Sequence, residues 1–221
     1  MLSDALLEDI RTNCPNIEEL ILESFYLDHI SSSKLPLSLI HFTARECHWP
    51  VAWLKGACLA NLQSLTIESC VRVDQQELVD VASLSSLESL TLSNMYRVKN
   101  AGIQTIAENL TGLQCLELNK LAIDDLAVHH ICRNLKSLKE LVLCETDITN
   151  SAVETIFVSL PELKKLDVSG HKNLDSSILT CSLKSKSLSE FTFSLSEVDP
   201  DVLDKISMNF PRRILKNTLE K

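Results

Sequence analysis

The chain has 221 residues, 45% hydrophobic and 23% charged, with 21 Lys plus Arg against 30 Asp plus Glu and a net charge of -9. That is enough chain for one sizeable core, and its acidity argues against nucleic acid as a partner, because like charges repel. Four glycines are too few for a glycine-rich phosphate cradle to be the organising feature.

The first predicted element is a helix over residues 3–14, SDALLEDIRTNC, which has neither the basic leader nor the unbroken apolar run of a signal peptide. An apolar triplet spaced L-x-x-L-x-L follows at Ile17, Leu20 and Leu22. It returns at Leu37/Ile40/Phe42, Leu62/Leu65/Ile67, Leu87/Leu90/Leu92, Leu113/Leu116/Leu118, Leu138/Leu141/Leu143, Leu163/Leu166/Val168 and Leu188/Phe191/Phe193. The steps between triplets are 20, 25, 25, 26, 25, 25 and 25 residues. Repetition at that period marks a leucine-rich-repeat array.

Each L-x-L pair alternates and reads as a short strand. The segments 74–83, 100–110, 124–135 and 150–160 carry apolar residues at helical spacing, and each opens on a capping residue type, at Asp74, Asn100, Asp124 and Asn150. Pro50 suits the first turn of a helix in the second repeat. The polar stretch YLDHISSSKLP is predicted as a loop. Residues 199–221 start as a helix, with Asp199 as cap, but Arg213 and Lys216 stand where a ninth strand would need leucines. They are therefore read as a C-terminal cap.

One strand and one helix cannot bury their apolar faces alone, whereas stacked repeats can. Strands pack about 4.8 Å apart and helices roughly 8–10 Å apart, so the stack bends. The predicted fold is one α/β leucine-rich-repeat domain over 1–221, with about eight repeats and a half-repeat helix at 1–16. It is a ribonuclease-inhibitor-like horseshoe, with parallel strands on the concave face and helices on the convex face.

The 25-to-26-residue repeats resemble those of the F-box and leucine-rich repeat family. The residues that carry the resemblance are Leu2-Ser3, Ala5-Leu6-Leu7, Cys14-Pro15-Asn16, Ala52-Trp53-Leu54 and Tyr96-Arg97-Val98 with Gly102, and it extends to about residue 120. Such proteins are substrate receptors of Skp1-cullin-F-box ubiquitin ligases: the F-box holds Skp1, and the repeats hold the substrate. LSDALLEDI looks superficially like an F-box opening, but the repeat strand CPNIEELIL follows within five residues. The resemblance therefore implies a substrate-recognition arm that meets Skp1 and cullin only through an F-box outside this sequence. The alternative is a ubiquitin-independent scaffold or inhibitor.

Strand alternation names the concave surface without any resemblance. It comprises Glu19, Ile21 and Glu23; His41 and Thr43; Ser64, Thr66 and Glu68; Ser89, Thr91 and Ser93; Cys115, Glu117 and Asn119; Glu140, Val142 and Cys144; Lys165, Asp167 and Ser169; and Glu190, Thr192 and Ser194. Seven of these are acidic and only Lys165 is basic, so a protein partner with a basic segment is expected there. The candidate partner-binding residues are Glu23, His41, Glu68, Thr91, Glu117, Glu140 and Asp167, with Tyr96 and Arg97 on a loop beyond the strands. His129-His130-x-Cys132 is not read as a metal site, because adjacent residues point about 100° apart on a helix. The eight cysteines include no C-x-x-C pair. No cofactor fingerprint, nucleophile motif or membrane span is found, and a non-catalytic chain with free thiols in cytoplasm or nucleus is expected.

Overall fold

The computed structural model describes residues 2–55 and 57–218. Nine strands form one parallel sheet in strict chain order. They are β1 (Glu19–Glu23), β2 (His41–Arg45), β3 (Ser64–Glu68), β4 (Ser89–Ser93), β5 (Cys115–Asn119), β6 (Glu140–Val142), β7 (Lys165–Val168), β8 (Glu190–Phe193) and β9 (Ile214–Asn217). A helix, α1 (Asp4–Asn13), precedes the sheet. Crossovers after β3 to β8 carry α2 (Glu77–Val81), α3 (Asn100–Asn109), α4 (Asp125–Asn134), α5 (Asn150–Ser159), α6 (Ser177–Ser182) and α7 (Pro200–Asn209).

The core is a set of columns that run across the strands. Leu65, Leu90, Leu116, Leu141, Leu166 and Phe191 pair in unbroken register, and all are buried. Ile67, Leu92, Leu118, Leu143, Val168 and Phe193 form a second buried column. Helix residues such as Ile103, Ile106, Val128, Ile131, Val153 and Ile156 close the core from the convex side. Fully burying each such side chain contributes about 1.5–3 kcal/mol.

Four details depart from the expected pattern. First, Leu20 pairs with Phe42 and Leu22 with Ala44, not with Ile40 and Phe42. Leu39 is buried and Leu37 is exposed. The small Ala44 hides the motif, while Phe42 packs against Trp53 at 6.0 Å between ring centroids and Trp53 meets Trp49 edge-on at 4.8 Å. Because the slip is two residues, His41 and Thr43 keep their face and Arg45 joins them. Second, β9 exists. Leu215 pairs with Phe191, one residue short of the usual period. Arg213 lies over the Phe210 ring at 3.8 Å and donates to the carbonyls of Ser182, Ser185 and Leu188. Residues 219–221 of the expected cap lie outside the described residues. Third, Asn100 and Asn150 do not cap their own helices. Asn100 binds Asp124, and Asn150 binds Ser177 and the Asp175 amide, each in the following repeat.

Fourth, residues 51–55, after Pro50, form turns, not a helix. The carboxylate of Glu77, itself only 3% exposed, reaches across and accepts from Ala52 N at 2.8 Å and Leu54 N at 3.2 Å. A buried acid thus satisfies backbone donors that these turns leave without a backbone partner. Ala52 pays for this arrangement with a φ of 54°.

Each strand from β1 to β7 ends in a turn through the left-handed region, at Ser24, Glu46, Ser69, Asn94, Lys120, Glu145 and Gly170. Only Gly170, and to a degree Asn94, suits that conformation; for the others it costs about 1 kcal/mol each. Neighbouring turns bond sideways: Ser24 to Glu46 at 3.3 Å, Asn94 to Ser69 at 3.0 Å and Lys120 to Glu145 at 3.3 Å. Because this strain recurs in every one of these repeats, it belongs to the architecture and does not mark one site.

Two outcomes follow for stability. Lys120→Gly should raise it by about 0.5–1 kcal/mol. Gly170→Ala should lower it, since its Cβ would sit 2.7 Å from Glu145 Cγ at a φ of +79°. Urea midpoints read both, and a destabilised Lys120→Gly contradicts the strain argument. Burial raises the pKa of Glu77 above 4.5, so the folded state binds more protons than the unfolded one. Relative to Glu77→Gln, wild type should lose stability as pH rises from 4.5 through the raised value. Paired urea titrations at pH 4.5 and 7.5 check the sign.

Candidate functional site

The outward-facing residues of the sheet fall into three rows, because register is constant from strand to strand. The first row runs Glu19, His41, Ser64, Ser89, Cys115, Glu140, Lys165, Glu190 and Ile214. The second runs Ile21, Thr43, Thr66, Thr91, Glu117, Val142, Asp167, Thr192 and Lys216. The third starts Glu23, Arg45, Glu68, Ser93 and Asn119 and continues by alternation through Cys144, Ser169 and Ser194. His41 and Glu140 thus share the first row, Thr91, Glu117 and Asp167 the second, and Glu23 and Glu68 the third. Tyr96 and Arg97 lie off this face, on the turn after β4, and both are exposed.

The middle of the face, over β3 and β4, is a platform of short hydroxyl side chains: Ser64, Thr66, Ser89, Thr91 and Ser93. At the two ends of the face stand exposed apolar residues, Ile21 at 49% and Ile214 at 52%.

Its charge is more balanced than the strand pattern suggested. Arg45 pairs with Glu68 at 3.2 Å, Lys165 with Glu140 at 2.9 Å, and Lys216 with Glu190. Arg45 was hidden by the β2 slip and Lys216 by the short ninth period. Donating a hydrogen bond to the Glu140 carboxylate raises the pKa of Lys165 and holds it cationic. Asp167 is occupied locally: its Oδ1 accepts from Ser169 N at 2.9 Å and from Cys144 Sγ at 3.3 Å. Among the described residues, Glu19, Glu23 and Glu117 make no ion pair. The acidic character available to a partner is therefore concentrated at β1 and at β5.

Two thiols face the same side. Burial pushes Cys144 up to about 11, and burial with the nearby Glu140 and Glu117 also raises Cys115. Both stay protonated at neutral pH and are weak nucleophiles. No cluster of three His, Cys, Asp or Glu among the described residues is placed to hold a metal ion, and His129 and His130 meet edge to face. No helix among them is long and apolar enough to cross a membrane.

Behind the third row runs a column three residues past the second core position: Phe25, Cys47, Cys70, Met95, Leu121, Thr146 and His171. Cys47 Sγ donates to Leu22 O and Cys70 Sγ to Ala44 O, each bonding back to the preceding repeat. The column turns polar at its far end. His171 Nδ1–H donates to Val168 O at 2.9 Å, while Nε2 accepts from Thr146 N at 3.2 Å and lies 3.0 Å from the Thr146 hydroxyl. That geometry fixes the neutral Nδ1–H tautomer. Sequence alone gave no hint of His171, since its ladder position emerges only from the register.

No protein-family model matches the chain, and no curated protein matches its sequence. Among solved structures, the chain is similar to the crystal structure of an internalin from Listeria monocytogenes, with a TM-score of 0.56 and 16% sequence identity. The match covers 95% of this chain and 63% of the internalin chain. The shared architecture is the leucine-rich-repeat solenoid, with parallel strands on the inner face and helices outside.

Burial lowers the pKa of His171 below 6.5, so the unfolded state binds the extra proton. Its contribution should be fully present above pH 6.5 and lost as pH falls through the depressed folded value. Chemical denaturation of wild type and His171→Gln between pH 5 and 7.5 should show the wild-type advantage shrinking on acidification. A widening advantage contradicts the neutral assignment.

Proposed function

We propose that the chain is a protein-recognition module whose concave sheet face holds a segment of a partner protein. The observation that carries this reading is the nine-strand, three-row face: a polar platform whose Glu23 and Glu117 carboxylates make no ion pair among the described residues, with the exposed Ile21 and Ile214 at its margins. Arg45, Lys165 and Lys216 neutralise Glu68, Glu140 and Glu190 in place, so the charge left to steer a partner favours a basic segment over β1 and β5. Binding of this kind needs no chemistry from the chain, and the raised thiols on the face supply none.

The resemblance, which extends to about residue 120, supports a more specific role, the substrate-recognition arm of a Skp1-cullin-F-box ubiquitin ligase. On that reading the horseshoe holds the substrate while other subunits carry out transfer, in cytoplasm or nucleus, and Skp1 is reached through an F-box outside this sequence.

Affinity purification of the product tagged at its native locus, with mass spectrometry, tests both levels. Co-purified Skp1 and cullin support the ligase role; their absence beside other captured proteins removes it and leaves a ubiquitin-independent scaffold. Glu23→Lys with Glu117→Lys should reduce partner capture at least about tenfold, the scale of about 1.4 kcal/mol, while the melting temperature stays put. Undiminished capture by that double variant removes the concave-face reading.

A further inference from the structure

The turns that follow β1 to β4 place four side chains at one offset: Tyr26, His48, Val71 and Tyr96. Tyr26 is 76% exposed, Val71 51% and Tyr96 60%. Exposed aromatics are scarce in a chain that is only 5% aromatic, and here two of them share one column. The column is physically continuous at its start. The backbones of Tyr26 and His48 form a parallel bridge, and their rings meet at a tilt of 36° with centroids 5.3 Å apart. A groove of about 310 Å³ lies between these two residues and Val71.

The third and fourth repeats add a cation to this edge. Between the buried Cys70 and Val73 there are two exposed residues, Val71 and Arg72; between the buried Met95 and Val98 there are again two, Tyr96 and Arg97. The fifth repeat has only one, Ala122, between Leu121 and Ile123. The extra residue in each longer turn is an arginine. Arg72 reaches Asp28 at 3.5 Å, and Asp28 is shared with His48. Arg97 lies 5.8 Å from the Tyr96 ring centroid and has no ion pair among the described residues.

We propose that this loop edge is a second docking surface, built for an extended acidic segment of a partner protein with one bulky apolar side chain. The apolar side chain fills the groove beside Tyr26, His48 and Val71. A carboxylate further along the segment meets the guanidinium group of Arg97, whose planar fork matches carboxylate oxygens, while Arg72 stays paired with Asp28. Three strand spacings of about 4.8 Å separate Tyr26 from Tyr96, a span of four to five extended residues at about 3.3 Å each. Tyrosine and arginine in such a setting are the side chains that dominate interface energetics. A peptide suits the edge better than a nucleic acid, because Asp28 and Glu46 lie at the groove end of the edge: a peptide presents only its apolar side chain there and its acids further along, whereas a nucleic acid would set phosphates against both carboxylates. This surface is separate from the concave face and does not require that reading to hold.

Fluorescence anisotropy with labelled peptides of about nine residues tests it directly, the length covering the estimated span with margin. One set carries Trp, Phe or Leu followed by a run of Asp and Glu; the control set replaces the acids with Lys. Acidic peptides should bind and the lysine controls should not. Arg97→Glu and Tyr26→Ala, both at exposed positions, should each weaken binding at least about tenfold, whereas Glu117→Lys on the concave face should leave it unchanged. Thermal melts by circular dichroism confirm that the variants fold. Equal binding of acidic and lysine peptides, no binding of either set, binding that survives Arg97→Glu, or preference for a single-stranded oligonucleotide probe overturns the proposal.

Discussion

Everything in this molecule depends on the parallel ladder between neighbouring strands. Among the described residues, each strand pairs with the next in chain order and none pairs with a distant one. Stability is therefore carried by nearest-neighbour interfaces, as in other solenoids. Strand spacing near 4.8 Å against helix spacing near 8–10 Å bends the stack, so the sheet becomes the inner surface. The same ladder that buries Leu65, Leu90, Leu116 and Leu141 turns Thr66, Thr91, Glu117 and Val142 outward in an equally regular row. The buried core and the outward face are two sides of one register.

Maintaining that register has local costs that the structure meets in place. Glutamate, lysine and serine occupy left-handed turns because the chain must leave each strand at the same angle, and sideways bonds between successive turns offset the strain. Where the second repeat lacks a helix, the buried Glu77 carboxylate takes over the unpaired backbone donors. Where the periodicity calls for a leucine at position 213, Arg213 stacks on Phe210 and binds three carbonyls. Polar side chains substitute for missing repeat elements near both ends of the array, where the period is irregular.

The legibility of the sequence followed the same division. From Leu62 to Phe193 the spacing of 25 or 26 residues placed every strand and its facing, because identical side chains recur at identical offsets. It failed where one small or charged residue broke the motif: Ala44 concealed the pairing of β2, and Arg213 concealed β9. Asn100 and Asn150 looked like helix caps because cap residue types are the same ones that bridge between repeats. Of the candidate surface, the acidic residues were all visible by alternation, but their pairing was not. That Arg45 faces Glu68 and Lys216 faces Glu190 depends on registers that only three-dimensional pairing supplies.

The central claim is that partner proteins are held on the concave sheet face. Hydroxyl-radical footprinting of the purified chain, alone and with its captured partner, reads this directly from side chains. Ile21, His41 and Val142 should lose reactivity in the complex. Val158 and Met208, on the convex helices and 65% and 81% exposed, should stay as reactive as in the free chain. Protection of Val158 and Met208 with Ile21, His41 and Val142 unchanged would place the partner on the helices and contradict the account.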